Sequence, residues 1–314
     1  MLTKNLKIIK QIVSKTGDFQ IIDKDRYLFK ITYKNKSFYI LKTFVIKHNV
    51  CFTTGFTRFK DVTKIILHKA GIKVPKGISV KTKELNQSIL KRASKLKFPL
   101  IIKNTSGSGG HSVKENICTK KDLLNIIKHK KKTKRSFLIE QMEKGKEYRV
   151  LMLGDRSIAV YERIKPNIIG NGKDSIATLI NKRQKNIEER IKINKELKRY
   201  IKEQGFANLK KIPKKDVKVY YKKIFRSEQG SIRIDRTDEI HKSIEKICAK
   251  ANKAIGLSLS GIDLSCKDIS KNIKNQKYSI LEINAKPDLY MHYEPDIGKP
   301  RNVVKDILDF IVKQ

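Results

Sequence analysis

The chain has 314 residues, of which 39% are hydrophobic, and a formal net charge of +41 at pH 7. This length and apolar content suffice for a large core, and no run of 18 apolar residues predicts a transmembrane helix. The N-terminus is too charged for a secretory signal, and the four cysteines form no CxxC pair. We therefore expect a cytoplasmic protein without a disulfide framework, zinc site or membrane anchor.

The positive charge invites a nucleic-acid interpretation. However, most of the basic residues are lysines spread along the whole chain beside abundant Ile and Asn, a bias that AT-rich codons produce. Aromatic residues do not alternate with them as a base-stacking surface requires. The run KHKKKTKR (128–135) is typical of a solvated loop, with a polyanion patch or localisation signal as the alternative. Nucleic acid is therefore not the expected partner, although a basic surface would attract acidic or phosphorylated ligands.

Strand and helix patterns alternate, which indicates an α/β or α+β fold. In chain order they predict strands at 27–33 and 38–46, a helix at 61–70, a strand at 99–103, a helix at 118–128 and a strand at 137–142. A hairpin turning at Gly154-Asp155 follows, then a charged helix through Ile187, Ile191, Leu197 and Ile201 that ends at Gly205. A helix from an Asp238 cap to Gly256, strands GIDLS and YSILEIN, and a C-terminal helix complete the chain.

The stretch FPLIIKNTSGSGGHSV (98–113) is a predicted strand that ends in Lys103 and leads into a loop rich in Gly and Ser. Such a loop leaves backbone N–H groups available to an anion, and a plain turn is the alternative. It is not a P-loop, because its lysine precedes the glycines. It is not a dinucleotide fingerprint either, because Ser112 stands where the third glycine should be.

Two strands carry oxygen ligands suited to a metal ion. In YSILEIN, alternation predicts Leu281 and Ile283 on one face and Glu282 and Asn284 on the other. Neighbouring hard oxygen ligands are what Mg²⁺ accepts when it also holds nucleotide phosphates, and Asp263 could supply a third. A solvated strand face is the alternative.

The middle of the chain could supply the rest of a nucleotide site. Glu140 and Glu147 flank a turn at Gly145, where a backbone hinge could meet adenine and a carboxylate could meet ribose, although a surface hairpin is the alternative. Three arginines fall in predicted strands, where burial requires an anionic partner: Arg149, Arg163 and Arg226. Phosphoryl transfer needs fixed positive charge of this kind.

Together these segments resemble the ATP-grasp superfamily, in particular the ATP-grasp region of cyanophycin synthetase and, less closely, that of bifunctional glutathione synthetase. The resemblance covers about 60–312 and is carried by KDVTKIILHKAGIKVPKG, PLIIKNTSGSGGHSV, FLIEQMEKGKEYRVLML, ERIKPNIIGNGKDSIATLI, LKRYIKEQG, GIDLSCKDIS and the segment 280–311. The last segment, with MH and GKPRNV, is the most specific. Residues 1–50 have no counterpart in this resemblance.

The resemblance implies an α+β ATP-grasp fold with a strand-rich lead-in (1–59), an N-terminal subdomain (60–142) and a C-terminal subdomain (143–314) that clasp ATP. It implies ATP and Mg²⁺ as cofactors, with Mn²⁺ as a substitute. The implied phosphate ligands are Lys60, Lys103 and the loop residues Ser106, Gly107, Ser108, Gly109, Gly110 and Ser112. The implied adenine hinge is Glu140, Gln141 and Met142, with Glu147 on ribose. Asp263, Glu282 and Asn284 match the magnesium ligands, and Arg163 and Arg226 match arginines beside the reacting phosphoryl group.

The implied activity is an ADP-forming ligation of a carboxylate to an amine through an acylphosphate, on an amino acid or small peptide. One alternative is a glutathione-synthetase-like ligase that adds glycine to a γ-glutamyl dipeptide. Another is a basic nucleic-acid-binding protein with a non-catalytic ATP-grasp fold. The chain ends before the Mur-ligase-like domain of cyanophycin synthetase, and the stretch 226–239 looks shorter than its family counterpart, so the substrates stay open. A homo-oligomer is also possible.

Overall fold

The computed structural model describes residues 3–25, 27–41, 55–81, 87–106, 114–132, 136–187, 189–222, 225 and 230–313. These residues form two compact units. Those up to Glu162 and from Asp235 onward belong to the first unit, and 163–234 belong to the second. The predicted subdomain limits after residues 59 and 142 coincide with neither unit limit and stay predictions. In the described part of the chain, no helix is long and apolar enough to cross a bilayer.

In the first unit, an N-terminal helix and sheet pack against the C-terminal helix. The elements are α1 (Lys4–Val13), β1 (Gly17–Asp23), β2 (Leu28–Tyr33), β3 (Lys36–Leu41) and the C-terminal α9 (Val303–Lys313). The strands pair antiparallel in the order β1-β2-β3. Alternate residues of β2 are buried, so Phe29, Ile31 and Tyr33 share a core with Ile307 and Leu308 of α9.

A four-stranded antiparallel sheet holds the strand that carries Lys103. Its order is β4-β7-β5-β6. Its elements and flanking helices are α2 (Lys60–Lys69), β4 (Gly77–Val80), α3 (Gln87–Ser94), β5 (Leu100–Asn104), β6 (Lys114–Ile117), α4 (Lys120–Lys132) and β7 (Phe137–Gln141). Glu140 of β7 lies opposite Gly77 of β4 and Ile101 of β5. A central strand therefore fixes Glu140 from both sides.

A second sheet holds the carboxylates. Its order is β12-β9-β8-β13-β14. The elements are β8 (Lys146–Leu153), β9 (Arg156–Ile164), β12 (Ile232–Asp235), α7 (Lys242–Ile255), β13 (Leu259–Cys266), β14 (Tyr278–Asn284) and the short helix α8 (Tyr290–Tyr293). Every residue of β13 is buried. The core between this sheet and its helices contains Leu67 of α2, Cys248 of α7, Ile262 and Ile283. Helix α2 therefore packs directly against this sheet.

The second unit has its own small core. Its elements are β10 (Asn167–Ile169), α5 (Ile176–Gln184), α6 (Lys195–Glu203) and β11 (Lys218–Tyr220). Strands β10 and β11 pair antiparallel. The buried residues that these elements share are Ile168, Ile176, Ile180, Ile191, Leu197, Ile201, Val219 and Tyr221.

Two helix predictions are wrong. The single helix through Ile187 and Ile201 is absent, because the Ile191 N–H donates to the Gln184 side chain (2.6 Å) and Asn194 caps a new helix, α6. The apolar residues of that segment still meet in one core, which explains their helix-like spacing. Helix α7 begins at Lys242 and not at Asp238, since the His241 side chain accepts from the Ser243 N–H.

Candidate active site

Three elements of the first unit bring a buried carboxylate between two lysines. Glu140 of β7 is 1% exposed. One of its carboxylate oxygens contacts Lys64 of α2, and the other lies 2.8 Å from the Lys103 ammonium group at the end of β5. Both lysine side chains are also largely buried. Lys103 and Glu140 were predicted site residues, whereas Lys64 was missed.

Burial and neighbouring charges set the protonation of this cluster. Burial and the nearby charge of Lys103 lower the pKa of Lys64 to about 8. Burial alone would lower the pKa of Lys103, but the Glu140 carboxylate outweighs it and raises that pKa. Burial would raise the pKa of Glu140, yet the two lysines outweigh it and lower that pKa. At neutral pH the cluster therefore holds two positive charges and one negative charge.

A third lysine lies one helical turn before Lys64. Lys60 and Lys64 are four residues apart on α2 and so project from the same face. The Lys60 ammonium group lies 2.9 Å from a carboxylate oxygen of Glu282, and its backbone N–H donates to Thr105 (2.8 Å). Helix α2 therefore contacts both Thr105, which follows β5, and Glu282 of strand β14. The i, i+4 spacing in KDVTK was the sequence signal for Lys64.

Two carboxylates face each other across neighbouring strands of the second sheet. Asp263 of β13 pairs with Glu282 of β14, and Gly261 pairs with Asn284. Residues two apart on a strand project to the same side, so Asn284 lies on the Glu282 face. On its other side Asp263 pairs with Arg149 of β8, whose guanidinium donates to both carboxylate oxygens. The anionic partner predicted for Arg149 is therefore the Asp263 carboxylate of the protein itself.

A β-bulge corrects part of the predicted strand pattern. Asp263 pairs with Glu282 but the next residue, Leu264, pairs with Ile280, so Leu281 is an extra residue on β14. Ile280 and Ile283 are both buried in the core beneath the sheet, whereas Leu281 is half-buried. The prediction that Leu281 shares the Ile283 face was wrong. Glu282 and Asn284 lie beyond the bulge, so their shared face stands as predicted.

Asp263, Glu282 and Asn284 are suited by their chemistry to bind a divalent metal ion. Carboxylate and amide oxygens are hard ligands, and Asp263 and Glu282 already attract Arg149 and Lys60. Among the residues that the structure describes, no three His, Cys, Asp or Glu side chains are grouped to hold a metal ion. To bind a metal ion, Asp263 and Glu282 would therefore need further ligands, such as the amide oxygen of Asn284 or groups from elsewhere.

The predicted hinge lies at the end of β7. The Gln141 N–H donates to Lys76 (2.8 Å) and the Met142 N–H donates to Pro99 (3.0 Å). Those two N–H groups are therefore engaged within the protein, and a base would use other groups of this segment. Glu147 of β8 is half-buried opposite Ser265. The adenine and ribose assignments stay predictions.

The other predicted residues are divided between the two units or lie outside the described part of the chain. Ser106 is exposed and forms a β-bridge with Phe59. Arg163 belongs to the second unit, where its guanidinium lies over the Phe225 ring, 5.1 Å from the ring centroid. The residues outside the described part are Gly107, Ser108, Gly109, Gly110, Ser112 and Arg226.

Comparisons with a protein family and with a solved structure identify this fold. Residues 57–205, just under half of the chain, match the RimK-like ATP-grasp domain family, and the fold is that of ATP-grasp proteins. The crystal structure of a bifunctional glutathione synthetase from Pasteurella multocida superposes with a TM-score of 0.70 and 22% identity. That superposition covers 99% of this chain and 44% of the other.

Two named relatives are similar to this chain over most of its length. It is 32% identical over 264 residues to the cyanophycin synthetase of Synechocystis sp., covering 80% of this chain and 30% of that protein. It is 26% identical over 313 residues to the glutathione biosynthesis bifunctional protein GshAB of Clostridium perfringens, covering 97% of this chain and 40% of that protein. The second match takes in nearly all of the N-terminal region, which the sequence resemblance left unmatched. The chain spans less than half the length of these relatives.

Proposed function

We propose that this chain uses ATP and Mg²⁺ to join a carboxylate to an amine, releasing ADP and phosphate. The observation that carries the proposal is the position of Lys60, Lys64 and Lys103 around two carboxylates, Glu140 and Glu282. Two buried ammonium groups (Lys64 and Lys103) and the half-buried Lys60, set against two carboxylates, leave positive charge that a polyphosphate would neutralise. Relatives that include cyanophycin synthetase and GshAB support the same reaction class.

The residues of the first unit divide into a phosphate side and a metal side. Lys60 and Lys103 would bind ATP phosphates, with the loop 106–112 supplying backbone N–H groups. Asp263, Glu282 and Asn284 would hold Mg²⁺, which supplies charge neutralisation between the phosphates when bound. Mn²⁺ would serve in its place, because it accepts the same oxygen ligands.

The proposed ligation depends more on positioning the reactants than on a general acid or base. A carboxylate oxygen of the substrate attacks the γ-phosphorus of ATP, and ADP leaves with the bonding electrons. The amine then attacks the carbonyl carbon of the acylphosphate, phosphate leaves, and the amine loses a proton. Holding the reactants in line can contribute roughly 7–11 kcal/mol of the barrier reduction. Arg163 and Arg226 would neutralise the charge that builds on the transferred group.

The remaining groups would orient the nucleotide and protect the intermediate. The segment 140–142 would receive adenine, and Glu147 would accept from ribose hydroxyls. Closure of the loop 106–112 would exclude water, which otherwise hydrolyses the acylphosphate. We place the enzyme in the cytoplasm, where ATP and small amino-acid or peptide substrates are available.

The substrate is an amino acid or small peptide, and two alternatives remain to be tested. Addition of glycine to a γ-glutamyl dipeptide is favoured by the match to GshAB over 97% of this chain. A nucleic-acid-binding role for a non-catalytic fold rests only on the charge of +41. If that charge is compositional, binding to DNA or RNA will be non-specific and will weaken steeply with salt. Sequence-selective binding that persists at roughly 200 mM salt would favour the nucleic-acid role.

The deciding experiment is an ADP-release screen over pairs of amino acids and dipeptides, with mass detection of products. We expect one pair to stimulate ADP release and to give a product lighter than the sum of the two substrates by one water. The γ-glutamyl dipeptide with glycine is one of the pairs. No stimulation by any pair, from protein shown to bind ATP, would contradict the proposed ligation.

A further inference from the structure

Glu140 has more cationic partners than its charge requires. Its two carboxylate oxygens are taken by different lysines, Lys64 from helix α2 and Lys103 from strand β5. All three side chains are buried, so water screens their charges only weakly. A single lysine would suffice to neutralise one carboxylate, and the second lysine therefore needs a different explanation.

The two lysines differ in what surrounds them. Lys103 is the next-to-last residue of β5, and Asn104, Thr105 and Ser106 separate it from residues 107–113, which lie outside the described part of the chain. Lys64 lies in the middle of α2, beside buried Thr63 and Leu67. Only Lys103 adjoins the predicted phosphate loop. A phosphate at that loop would compete with Glu140 for Lys103 and leave Lys64 in place.

Loss of one lysine from a buried carboxylate is unfavourable unless another cation remains. A carboxylate buried as deeply as Glu140 is strongly destabilising without a partner, because neither water nor a counter-ion reaches it. With Lys64 retained, the charge on Glu140 stays neutralised when Lys103 turns to another anion. Lys64 therefore determines whether Lys103 can leave its ion pair with Glu140.

We propose that Lys64 is a positioning residue: it neutralises Glu140 so that Lys103 can transfer from Glu140 to an ATP phosphate. The inference rests on the proposed function, and it adds a residue that the family resemblance did not assign. It concerns the helix α2 face on which Lys60 and Lys64 lie one turn apart. In this account Lys64 acts through Glu140 and does not itself contact the nucleotide.

The test is a double-mutant cycle read by ATP binding. The dissociation constant of ATP with Mg²⁺ is measured by calorimetry for wild type, Lys64→Met, Glu140→Gln and Lys64→Met/Glu140→Gln. Lys69→Met is the control, because Lys69 is an exposed lysine of the same helix. Thermal unfolding without nucleotide, measured on each variant, separates loss of stability from loss of binding.

We expect Lys64→Met to weaken ATP binding about tenfold or more, because Lys103 is then held by an otherwise unpaired carboxylate. The double variant should bind within about threefold of Glu140→Gln alone, since a neutral amide no longer holds Lys103. Lys69→Met should bind ATP like the wild type. Rescue of this kind is not expected from a residue that only stabilises the fold.

Two results would overturn the inference. One is Lys64→Met binding ATP as the wild type does, even if it unfolds at a lower temperature. The other is a double variant that remains about tenfold or more weaker than Glu140→Gln, which would mean that Lys64 acts on the nucleotide directly. If Lys64→Met does not fold, the comparison of the double variant with Glu140→Gln decides alone. A wild type that binds no ATP would refute the proposed function instead.

Discussion

Asp263 and Glu282 are register partners on adjacent antiparallel strands, and each is ion-paired with a different cation, Arg149 or Lys60. Directly opposite residues have Cβ atoms roughly 4.5–5.5 Å apart, so the two carboxylates share one small region of the sheet. Two negative charges at this distance repel unless cations lie between or beside them. The pair is therefore suited to a divalent ion, and it is the feature from which the metal assignment can be tested.

Changing Glu282 to Gln should suppress ADP formation while leaving the fold intact, because one anionic ligand becomes neutral without a change of shape. Turnover is measured at saturating Mg²⁺, and folding is checked by thermal unfolding. Glu294→Gln is the matched control, since Glu294 is an exposed glutamate of the same unit. Unaltered turnover in Glu282→Gln would remove β14 from the metal site.

Changing Lys103 to Ala should weaken ATP binding by roughly 1.5–3 kcal/mol, the range for one charge-assisted contact. The effect on stability should be smaller than for an isolated buried pair, because Lys64 still neutralises Glu140. Calorimetry gives the binding free energy, and chemical denaturation gives the free energy of unfolding. Equal ATP affinity in wild type and Lys103→Ala would place the phosphates elsewhere.

Binding of ATP and Mg²⁺ should slow amide hydrogen exchange across 104–113, because the loop N–H groups would then donate to phosphate. Gly109→Val should slow turnover more than it weakens ATP binding, since a β-branched residue restricts the backbone conformations available for closure. Mass spectrometry of exchanged peptides and steady-state kinetics measure the two effects. Exchange that is indifferent to ATP, with normal turnover in Gly109→Val, would make this stretch a plain turn.

An acid-sensitive group of ion pairs links two segments of the first unit. Arg301 donates to Asp235 (2.5 Å) and to Asp238 (2.8 Å). Burial would raise the pKa of Asp235, but hydrogen bonds from Arg301 and Thr237 outweigh it and lower that pKa. Its stabilising contribution is therefore complete above the ordinary aspartate pKa of about 3.9 and is lost as the pH falls through the lower folded value.

Asp235→Asn should consequently reduce the free energy of unfolding by about 1.5–3 kcal/mol at pH 7, the range for hydrogen bonds to charged groups. The difference from wild type should shrink as the pH falls below about 3.9. Urea denaturation at several pH values measures it, with the exposed Asp155→Asn as control. A difference that is the same at pH 7 and pH 3 would contradict the lowered pKa.

Part of the geometry of the candidate site followed from sequence patterns, because strand alternation is a local signal. Glu282 and Asn284 were placed on one face correctly, and the strand predicted at 99–103 is observed at Leu100–Asn104. Local patterns could not show the bulge at Leu281, since the extra residue is defined by pairing with β13. Lys64 was missed although it lies four residues after Lys60, because its contact with Glu140, 76 residues away in the chain, leaves no local signal.

The wrong helix through Ile187 and Ile201 has a tertiary cause. Apolar spacing typical of a helix arises here from two shorter elements whose apolar residues meet in one core. The GKPRNV segment was recognised only by resemblance, yet its arginine has a structural role in holding Asp235 and Asp238. Long-range ion pairs of this kind leave no periodic signal in the sequence.

The measurement closest to the central claim follows a carboxylate oxygen through the reaction. Once the screen has identified a substrate pair, the carboxylate is labelled with ¹⁸O and the released phosphate is analysed by mass spectrometry. Ligation through an acylphosphate predicts one ¹⁸O atom in each phosphate, together with one ADP per amide formed. Phosphate without label, or AMP and pyrophosphate in place of ADP, would contradict the account.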